Sequence, residues 1–202
     1  GKYPVIFLTF KDLKEPDFKS FLNQLSELIA DLYKIHQDKL LNSELDQRDK
    51  NKINDILSEK KDYTLLQNSL KNLSRYLSEI YQVNPIILLD EYDTPIHAGW
   101  LEGYYNEIIK FMRGFLSGAF KDNIYFEKGV ITGCLRVAKE SIFTGMNNLT
   151  VASILRHKFS DKFGFTPEEV KSLLEDYRLD DKYDEVMQWY NGYKFGNKIV
   201  LN

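Results

Sequence analysis

The feature that most constrains the fold is an unbroken apolar run that ends in two acids. Residues 86–91 read I-I-L-L-D-E, so four large apolar side chains are followed directly by Asp90 and Glu91. A continuous apolar run of this length is typical of a strand that is buried on both faces of a parallel sheet. The sequence therefore predicts a strand whose carboxyl end carries both carboxylates.

Two further apolar runs predict companion strands. Residues 4–10 form a continuous run rich in Val, Ile and Phe, which predicts another strand buried on both faces. Residues 124–132 predict a third strand, which ends at Thr132. Long stretches with apolar residues at helical spacing separate the three strands, and this alternation favours an α/β fold with a parallel sheet.

Helical spacing of apolar residues predicts the remaining elements. The predicted helices span residues 15–32, a short stretch at 53–57, and 66–80, 105–120, 166–177 and 183–190. Thr166 and Glu169 fit a capping box at the start of the fifth helix. A short strand is predicted near residues 158–165, and a hairpin over residues 193–202 is predicted to turn at Gly196.

Composition places the chain among globular proteins and argues against several other classes. The 202 residues include 27 Lys and Arg against 30 Asp and Glu, and 43% are hydrophobic, which is too apolar and too nearly neutral for a disordered chain. Because the chain has no excess of basic residues, direct nucleic-acid binding is not expected. No apolar run reaches the roughly 20 residues that a membrane helix needs. Cys134 is the only cysteine, so no internal disulfide can form and a reducing cytoplasm is the expected compartment.

The acids that end the 86–91 run fit the Walker B pattern of P-loop ATPases. Open α/β sheets bind ligands at the carboxyl ends of their strands. Asp90 in that position can hold Mg²⁺ beside nucleotide phosphates, directly or through water, and Glu91 can deprotonate an attacking water. Asp93 adds a third carboxylate and favours a cluster that faces a metal. Acids also occur at strand ends for solubility alone, and that alternative stays open.

Other polar residues follow the third predicted strand. Thr132 ends the strand at a position where many ATPases carry a residue that senses the terminal phosphate, although ordinary turn chemistry explains it equally well. Arg136 and Lys139 follow closely and can contact phosphate charge, or lie on a solvated surface. Cys134 has no histidine near it in sequence, and the three histidines have no ligand spacing, so neither a thiol nucleophile nor a zinc site is predicted. Glu169 and Lys171 have the E-x-K form of some nucleases, but helix capping accounts for the glutamate.

A phosphate-binding loop is missing from the sequence. No G-x-x-x-x-G-K-[ST] segment occurs, so the backbone cradle and lysine that normally bind nucleotide phosphates are not encoded in these residues. The chain also begins almost inside one apolar run and stops in another, Val200–Leu201. From these features we expect the 202 residues to be a core taken from a longer protein.

Five segments together resemble a known family. They are L-L-D-E-Y-D-T-P-I at 88–96, T-G-C-L-R-V-A-K-E-S-I-F at 132–143, N-N-L at 147–149, F-G-F-T at 163–166 and W-Y-N-G-Y-K-F-G at 189–196. Their order and content are similar to the AAA-ATPase-like family of bacterial proteins. Members of that family usually begin with a P-loop segment, and many continue into a nuclease-like domain of the PD-(D/E)XK type. Neither piece occurs in this sequence.

The resemblance implies a role for each matching residue. It makes Asp90 the Mg²⁺-associated acid and Glu91 the catalytic base, with Thr132 as a sensor and Arg136 as a phosphate or inter-subunit contact. Asp93 is a further cofactor-binding candidate because of its place in the same cluster of acids. The resemblance implies a partial P-loop NTPase-like parallel sheet flanked by helices, with a small helical and hairpin appendage at the C-terminus. The corresponding domains are a core at residues 1–165 that lacks the P-loop strand, and the start of a lid-like subdomain at 166–202.

Three functions are compatible with this pattern. The first is the Walker B half of an ATPase that uses Mg²⁺ and ATP only in the complete protein, so that the chain alone binds ATP weakly or undetectably. The second is a non-catalytic interaction or scaffold module that has lost its P-loop. The third is a metal-dependent hydrolase that uses Asp90, Glu91 and Asp93 without ATP.

The resemblance also implies an association hazard. The P-loop strand of such ATPases usually lies inside the sheet, next to the sensor strand, so its removal exposes a strand edge. We expect this edge either to re-pair within the chain or to be filled by a neighbouring chain. Self-association through the exposed edge, or contact with an unknown protein partner, is therefore expected, whereas contact with a membrane is not.

Overall fold

A computed structural model describes residues 1–121, 123–134, 142, 149–153, 162, 164–190, 192–196 and 198–201. The chain divides into two compact units, Gly1–Asn147 and Asn148–Asn202, which are described separately. The predicted functional division into 1–165 and 166–202 is not tested by this result and stays a prediction.

The first unit alternates strands and helices. Its strands are β1 (Val5–Thr9), β2 (Ile86–Asp90) and β3 (Lys128–Ile131). Its helices are α1 (Phe18–Lys34), α2 (Gln37–Leu41), α3 (Gln47–Leu57), α4 (Tyr63–Gln67), α5 (Ser69–Tyr81), α6 (Thr94–Glu102) and α7 (Tyr105–Phe120). Among the described helices of the whole chain, none has the length and apolar content needed to cross a membrane.

The three strands form one parallel sheet in the order β1-β2-β3. The predicted α/β fold with a parallel sheet flanked by helices is therefore confirmed. In the strand register Thr9 lies beside Asp90, and Leu89 lies beside Ile131. Because the strands are parallel, all three carboxyl ends meet at one edge of the sheet, with the acid-bearing strand in the middle.

The prediction that β1 is buried on both faces is wrong. Ile6 and Leu8 are buried and belong to the apolar core that the helices build, whereas Val5 is 43% exposed and Phe7 is 54% exposed. A two-residue alternation places these pairs on opposite faces of the strand. Strand β1 thus has one face in the core and one exposed face, whereas Leu88 on the same face of β2 is half-buried.

The exposed face extends across the sheet to β3. The register aligns Phe7 with Leu88 and Leu88 with Val130, so these side chains share a face, and Val130 is 43% exposed. We call the exposed apolar set Val5, Phe7 and Val130 the open face. Parallel sheets are normally covered on both sides, so the open face is an unusual surface for a sheet of this type.

Strand β3 lies at an edge of the sheet. Within the part of the chain that the structure describes, β3 pairs with β2 alone. The expected re-pairing within the chain is therefore not observed among those residues. The other expected outcome, pairing with a neighbouring chain, stays a prediction.

Local sequence explains where several helices begin and end. Helix α1 begins at Phe18 because Asp17 caps it, with Asp17 Oδ1 accepting a hydrogen bond from the Ser20 backbone N–H at 2.8 Å. The predicted start of this helix at residue 15 is wrong, since residues 15 and 16 precede the cap. The predicted 66–80 helix is two helices, α4 and α5, separated at Asn68. The predicted helix at 105–120 is confirmed as α7.

The second unit contains α8 (Pro167–Asp176), a 3₁₀ turn (Asp180–Lys182), α9 (Tyr183–Trp189) and a hairpin of β4 (Tyr193–Phe195) and β5 (Lys198–Val200). The predicted capping box is confirmed, with Thr166 and Glu169 bonded to each other's backbone N–H groups. The small apolar core of the second unit consists of Val170, Leu174 and Leu201. Much of the predicted strand near 158–165 lies outside the described residues, but Phe165 forms an isolated antiparallel bridge with Leu201.

Candidate functional site at the carboxyl ends of the strands

The carboxyl ends of the three strands bring one polar side chain each to the same place. Thr9 is the last residue of β1, Asp90 is the last residue of β2, and Thr132 directly follows β3. The Thr132 backbone N–H donates to the Leu89 carbonyl at 2.9 Å, which fixes this threonine beside the end of β2. The two threonines therefore flank the carboxylate on both sides.

Both oxygens of Asp90 accept a hydrogen bond from a hydroxyl group. The Thr9 hydroxyl donates to Asp90 Oδ2 at 3.0 Å, and the Thr132 hydroxyl donates to Oδ1 at 2.5 Å. The hydrogen bond from Thr132, and then the one from Thr9, lower the pKa of the Asp90 carboxyl group below its ordinary value. Asp90 is therefore ionised at neutral pH and carries a negative charge at the edge of the sheet.

The two hydroxyl groups are themselves oriented by the backbone. The Lys11 N–H donates to Thr9 Oγ1 at 3.3 Å, and the Glu91 N–H donates to Thr132 Oγ1 at 3.4 Å. A threonine hydroxyl has one proton to donate and two lone pairs that accept. The backbone N–H group uses one lone pair, so the proton remains available for the Asp90 carboxylate. In each threonine that single proton is thus directed to Asp90.

Glu91 leaves the strand in an unusual backbone conformation. Its φ of 52° lies in the left-handed region, which for a residue with a side chain costs on the order of 1 kcal/mol or more. The half-buried Glu91 side chain accepts a hydrogen bond on Oε2 from the Thr94 hydroxyl at 3.1 Å. The first turn of α6 therefore holds the Glu91 carboxylate at the same edge as Asp90.

Asp93 has a different environment from the other two acids. Its side chain is buried, and its Oδ1 accepts a hydrogen bond from the Cys134 backbone N–H at 3.3 Å. A Cβ atom added to Gly133 would lie 2.5 Å from Asp93 Oδ1 and 2.7 Å from the Tyr92 ring, so this close approach requires glycine. Asp93 therefore joins the start of α6 to the residues after β3.

The three carboxylates do not form a metal-binding group. Among the described residues, which include all three acids, no group of three or more His, Cys, Asp or Glu side chains is arranged to hold a metal ion. Asp90 suits a cation, because the hydrogen bonds from Thr132 and Thr9 lower its pKa and it lies at the carboxyl end of the middle strand. A metal at this site would take most of its ligands from water or from another molecule.

The sequence-predicted site residues are partly brought together. Asp90, Glu91 and Thr132 are linked by hydrogen bonds, and Asp93 binds the backbone of Cys134, two residues beyond Thr132. Arg136 lies outside the described residues, as does Lys139. Cys134 is an exposed free cysteine.

Sequence analysis missed two residues that shape the site, Thr9 and Thr94. A usable signal existed for Thr9, because it is the one polar residue in the apolar run at 4–10 and lies near the carboxyl end of that predicted strand, as Thr132 does in another. No sequence pattern indicated the contact between Thr94 and Glu91, because helix α6 was not predicted.

The comparison with protein families agrees with this geometry. Residues 1–143 match the model of the AAA-ATPase-like family, which is described as "Predicted AAA-ATPase". The match covers more than half of the chain, and the chain therefore belongs to the AAA-ATPase-like family. No solved structure matches the chain.

A curated relative extends the comparison. The chain is 28% identical over 118 residues to an uncharacterized protein in the vnfD 5' region of Azotobacter chroococcum mcd 1, a match that covers 58% of this chain and 23% of that protein. The aligned segment thus spans less than a quarter of the relative's length.

Proposed function

We propose that this chain supplies the metal-binding acid and the catalytic base of a Mg²⁺-dependent ATPase. The observation that carries the proposal is the ionised Asp90 carboxylate, held between two hydroxyl groups at the carboxyl end of the middle strand. Membership of a family described as predicted ATPases supports the same reaction class.

The environment of Asp90 fits Mg²⁺. An ionised carboxylate offers about four lone-pair positions, and the hydroxyl groups of Thr9 and Thr132 occupy two of them. Mg²⁺ bound through one carboxylate keeps most of its water ligands and bridges to substrate phosphates. When bound, the ion would neutralise developing phosphate charge, and Asp90 would hold it directly or through one of its waters.

Glu91 is proposed to act on an attacking water. Its carboxylate is fixed by Thr94 and follows Asp90 directly, so a water near the metal site would lie within its reach. Thr132 is proposed as the sensor, although its proton is directed to Asp90 in this structure. The cofactor-binding role of Asp93 and the phosphate contact of Arg136 stay predictions.

Another part of the complete protein would supply the phosphate-binding loop. The sequence contains no G-x-x-x-x-G-K-[ST] segment. The curated relative is several times longer than the aligned segment, which leaves room for such a loop elsewhere. Catalysis is accordingly proposed for the complete protein, with cytoplasmic location as a further proposal.

The proposal is tested by ATP hydrolysis in the complete protein with the Glu91→Gln substitution. Glutamine keeps the size of the side chain and its hydrogen bond to Thr94 but cannot take a proton, so we expect hydrolysis to fall by about 100-fold or more while ATP still binds. Glu102→Gln, at an exposed glutamate at the end of α6, is the matched control and should hydrolyse ATP at the wild-type rate.

Equal hydrolysis rates in Glu91→Gln and Glu102→Gln would contradict the role of Glu91. A complete protein without any Mg²⁺-dependent hydrolysis would instead favour the alternative function, a non-catalytic interaction module. The open face is the observation that favours this alternative, because exposed apolar surface of a sheet is suited to protein contacts.

A further inference from the structure

We infer that Thr9 is a positioning residue of this site, which fixes the Asp90 carboxylate for metal binding together with Thr132. The inference rests on the proposed function, and it assigns a role to a residue that neither the sequence motif nor the family match singles out. Its basis is the pair of hydrogen bonds that Asp90 accepts from opposite sides.

The arrangement around Asp90 is nearly symmetric. Thr9 ends the strand on one side of β2 and Thr132 directly follows the strand on the other side, and each donates a hydrogen bond to a different oxygen of the carboxylate. Each hydroxyl also accepts from a backbone N–H, from Lys11 in one case and from Glu91 in the other. With both oxygens held from opposite sides, rotation about both side-chain torsions of Asp90, the Cα–Cβ and the Cβ–Cγ torsion, is restricted.

Fixing the carboxylate matters because the terminal torsion of an aspartate side chain has a broad distribution of angles when nothing restrains it. A ligand whose orientation is set in advance binds its ion more tightly, and loss of such supporting partners typically weakens metal affinity by about 10- to 100-fold. Thr132 cannot do this alone, since its bond reaches only one of the two oxygens. Thr9 therefore contributes orientation without touching the metal or the nucleotide.

The first test measures the side chain of Asp90 directly in the 202-residue chain. Three-bond Hα–Hβ couplings of Asp90 report whether its Cα–Cβ torsion is fixed or averaged between staggered positions, and they need neither metal nor nucleotide. In Thr9→Val, which keeps the shape but removes the donor, we expect the couplings to move toward averaged values. Thr9→Ser restores the donor and should keep the wild-type couplings. Wild-type couplings in Thr9→Val would overturn the inference.

The second test measures Mn²⁺ binding by electron paramagnetic resonance, together with ATP hydrolysis, in the complete protein. In Thr9→Val we expect Mn²⁺ affinity to fall by about 10-fold and the Mg²⁺ concentration for half-maximal hydrolysis to rise in proportion, with a smaller change in kcat at saturating Mg²⁺. Thr9→Ser should rescue both quantities. Thr64→Val, at an exposed threonine on α4, is the matched control and should leave both unchanged.

The outcomes separate this inference from the proposed function. Averaged couplings in Thr9→Val with unchanged Mn²⁺ affinity would overturn the role of Thr9 while leaving the ATPase proposal standing. Wild-type protein that binds no Mn²⁺ and hydrolyses no ATP would overturn the proposed function, and the metal role of Thr9 would fall with it.

Discussion

At the scale of single residues, the buried charge of Asp49 shows how polar groups hold the first unit together. Asp49 on α3 is 5% exposed, its Oδ2 lies 2.6 Å from the Arg75 guanidinium, and its Oδ1 accepts from the Tyr76 hydroxyl at 3.0 Å. Burial raises the pKa of the Asp49 carboxyl group, but the hydrogen bonds from Arg75 and Tyr76 outweigh it and hold the pKa below its ordinary value. The ionised form thus ties α3 to α5.

This depressed pKa predicts a loss of stability in acid. Because the folded-state pKa of Asp49 lies below the ordinary value of 3.8, its stabilisation is present above about pH 4 and is lost as the pH falls through the folded-state pKa. Asp49→Asn should lower the free energy of unfolding by about 2 kcal/mol at neutral pH and flatten its pH dependence below about pH 4. Urea unfolding measured at several pH values checks both effects.

The control for this prediction is Asp31→Asn. Asp31 pairs with Lys34 on the exposed side of α1, with 71% of the aspartate side chain exposed, so its loss should change the free energy of unfolding by less than about 0.5 kcal/mol. Equal effects of the two substitutions would contradict a special contribution from Asp49.

The residues that meet at the carboxyl end of β2 were partly predictable from the sequence. Asp90 and Glu91 were identified because an apolar strand that ends in acids is a strong local pattern. Thr9 and Thr94 were not, because their importance depends on which strands are neighbours and on a turn that a local pattern does not reveal. Asp93 was predicted as a third metal-facing acid; its Oδ1 accepts a hydrogen bond from the Cys134 backbone beside Gly133, and its cofactor-binding role stays a prediction.

At the scale of secondary-structure elements, β3 combines a free edge with an exposed apolar side chain. Its backbone pairs with β2 alone among the described residues, and Val130 belongs to the open face. A strand edge of this kind offers unpaired N–H and C=O groups to another chain. We therefore propose that the 202-residue chain self-associates through β3 and the open face.

Val130→Lys should weaken this self-association by about 10-fold or more, because burying an unpaired ammonium costs more than about 1.4 kcal/mol. Sedimentation over a range of concentrations measures the effect. Ile35→Lys, at a residue that is 74% exposed at the end of α1, adds the same charge elsewhere and should leave association unchanged. A wild-type chain that stays monomeric, or equal effects of both variants, would contradict the proposal.

The elements themselves were predictable where one periodicity dominates. Helix α7 and the hairpin followed from apolar spacing and turn residues. Helix α6 was missed because Pro95, Ile96, Ala98 and Gly99 are buried on a short helix that has no polar face of the usual width. The burial of β1 was overestimated because a continuous apolar run does not reveal whether both faces of a strand are covered.

At the scale of the whole molecule, the class of fold and the family were predictable, and the function stays a proposal. Alternation of strands and helices predicted the parallel sheet, and the five matching segments predicted the family. The burial of the two sheet faces could not be predicted, because it depends on which elements pack on each face. The sequence pattern of a single strand does not contain that information. The assignment of ATP hydrolysis rests on the acid-bearing end of β2 and on family membership together.

The claim that Asp90 holds the metal of an ATPase is tested most directly by Mg²⁺-dependent ATP hydrolysis in the complete protein with Asp90→Asn. Asparagine keeps the shape of the side chain and removes its charge, so hydrolysis at saturating ATP should fall by about 100-fold or more with the circular dichroism spectrum unchanged. Hydrolysis within about twofold of the wild-type rate, in a variant that remains folded, would contradict the claim.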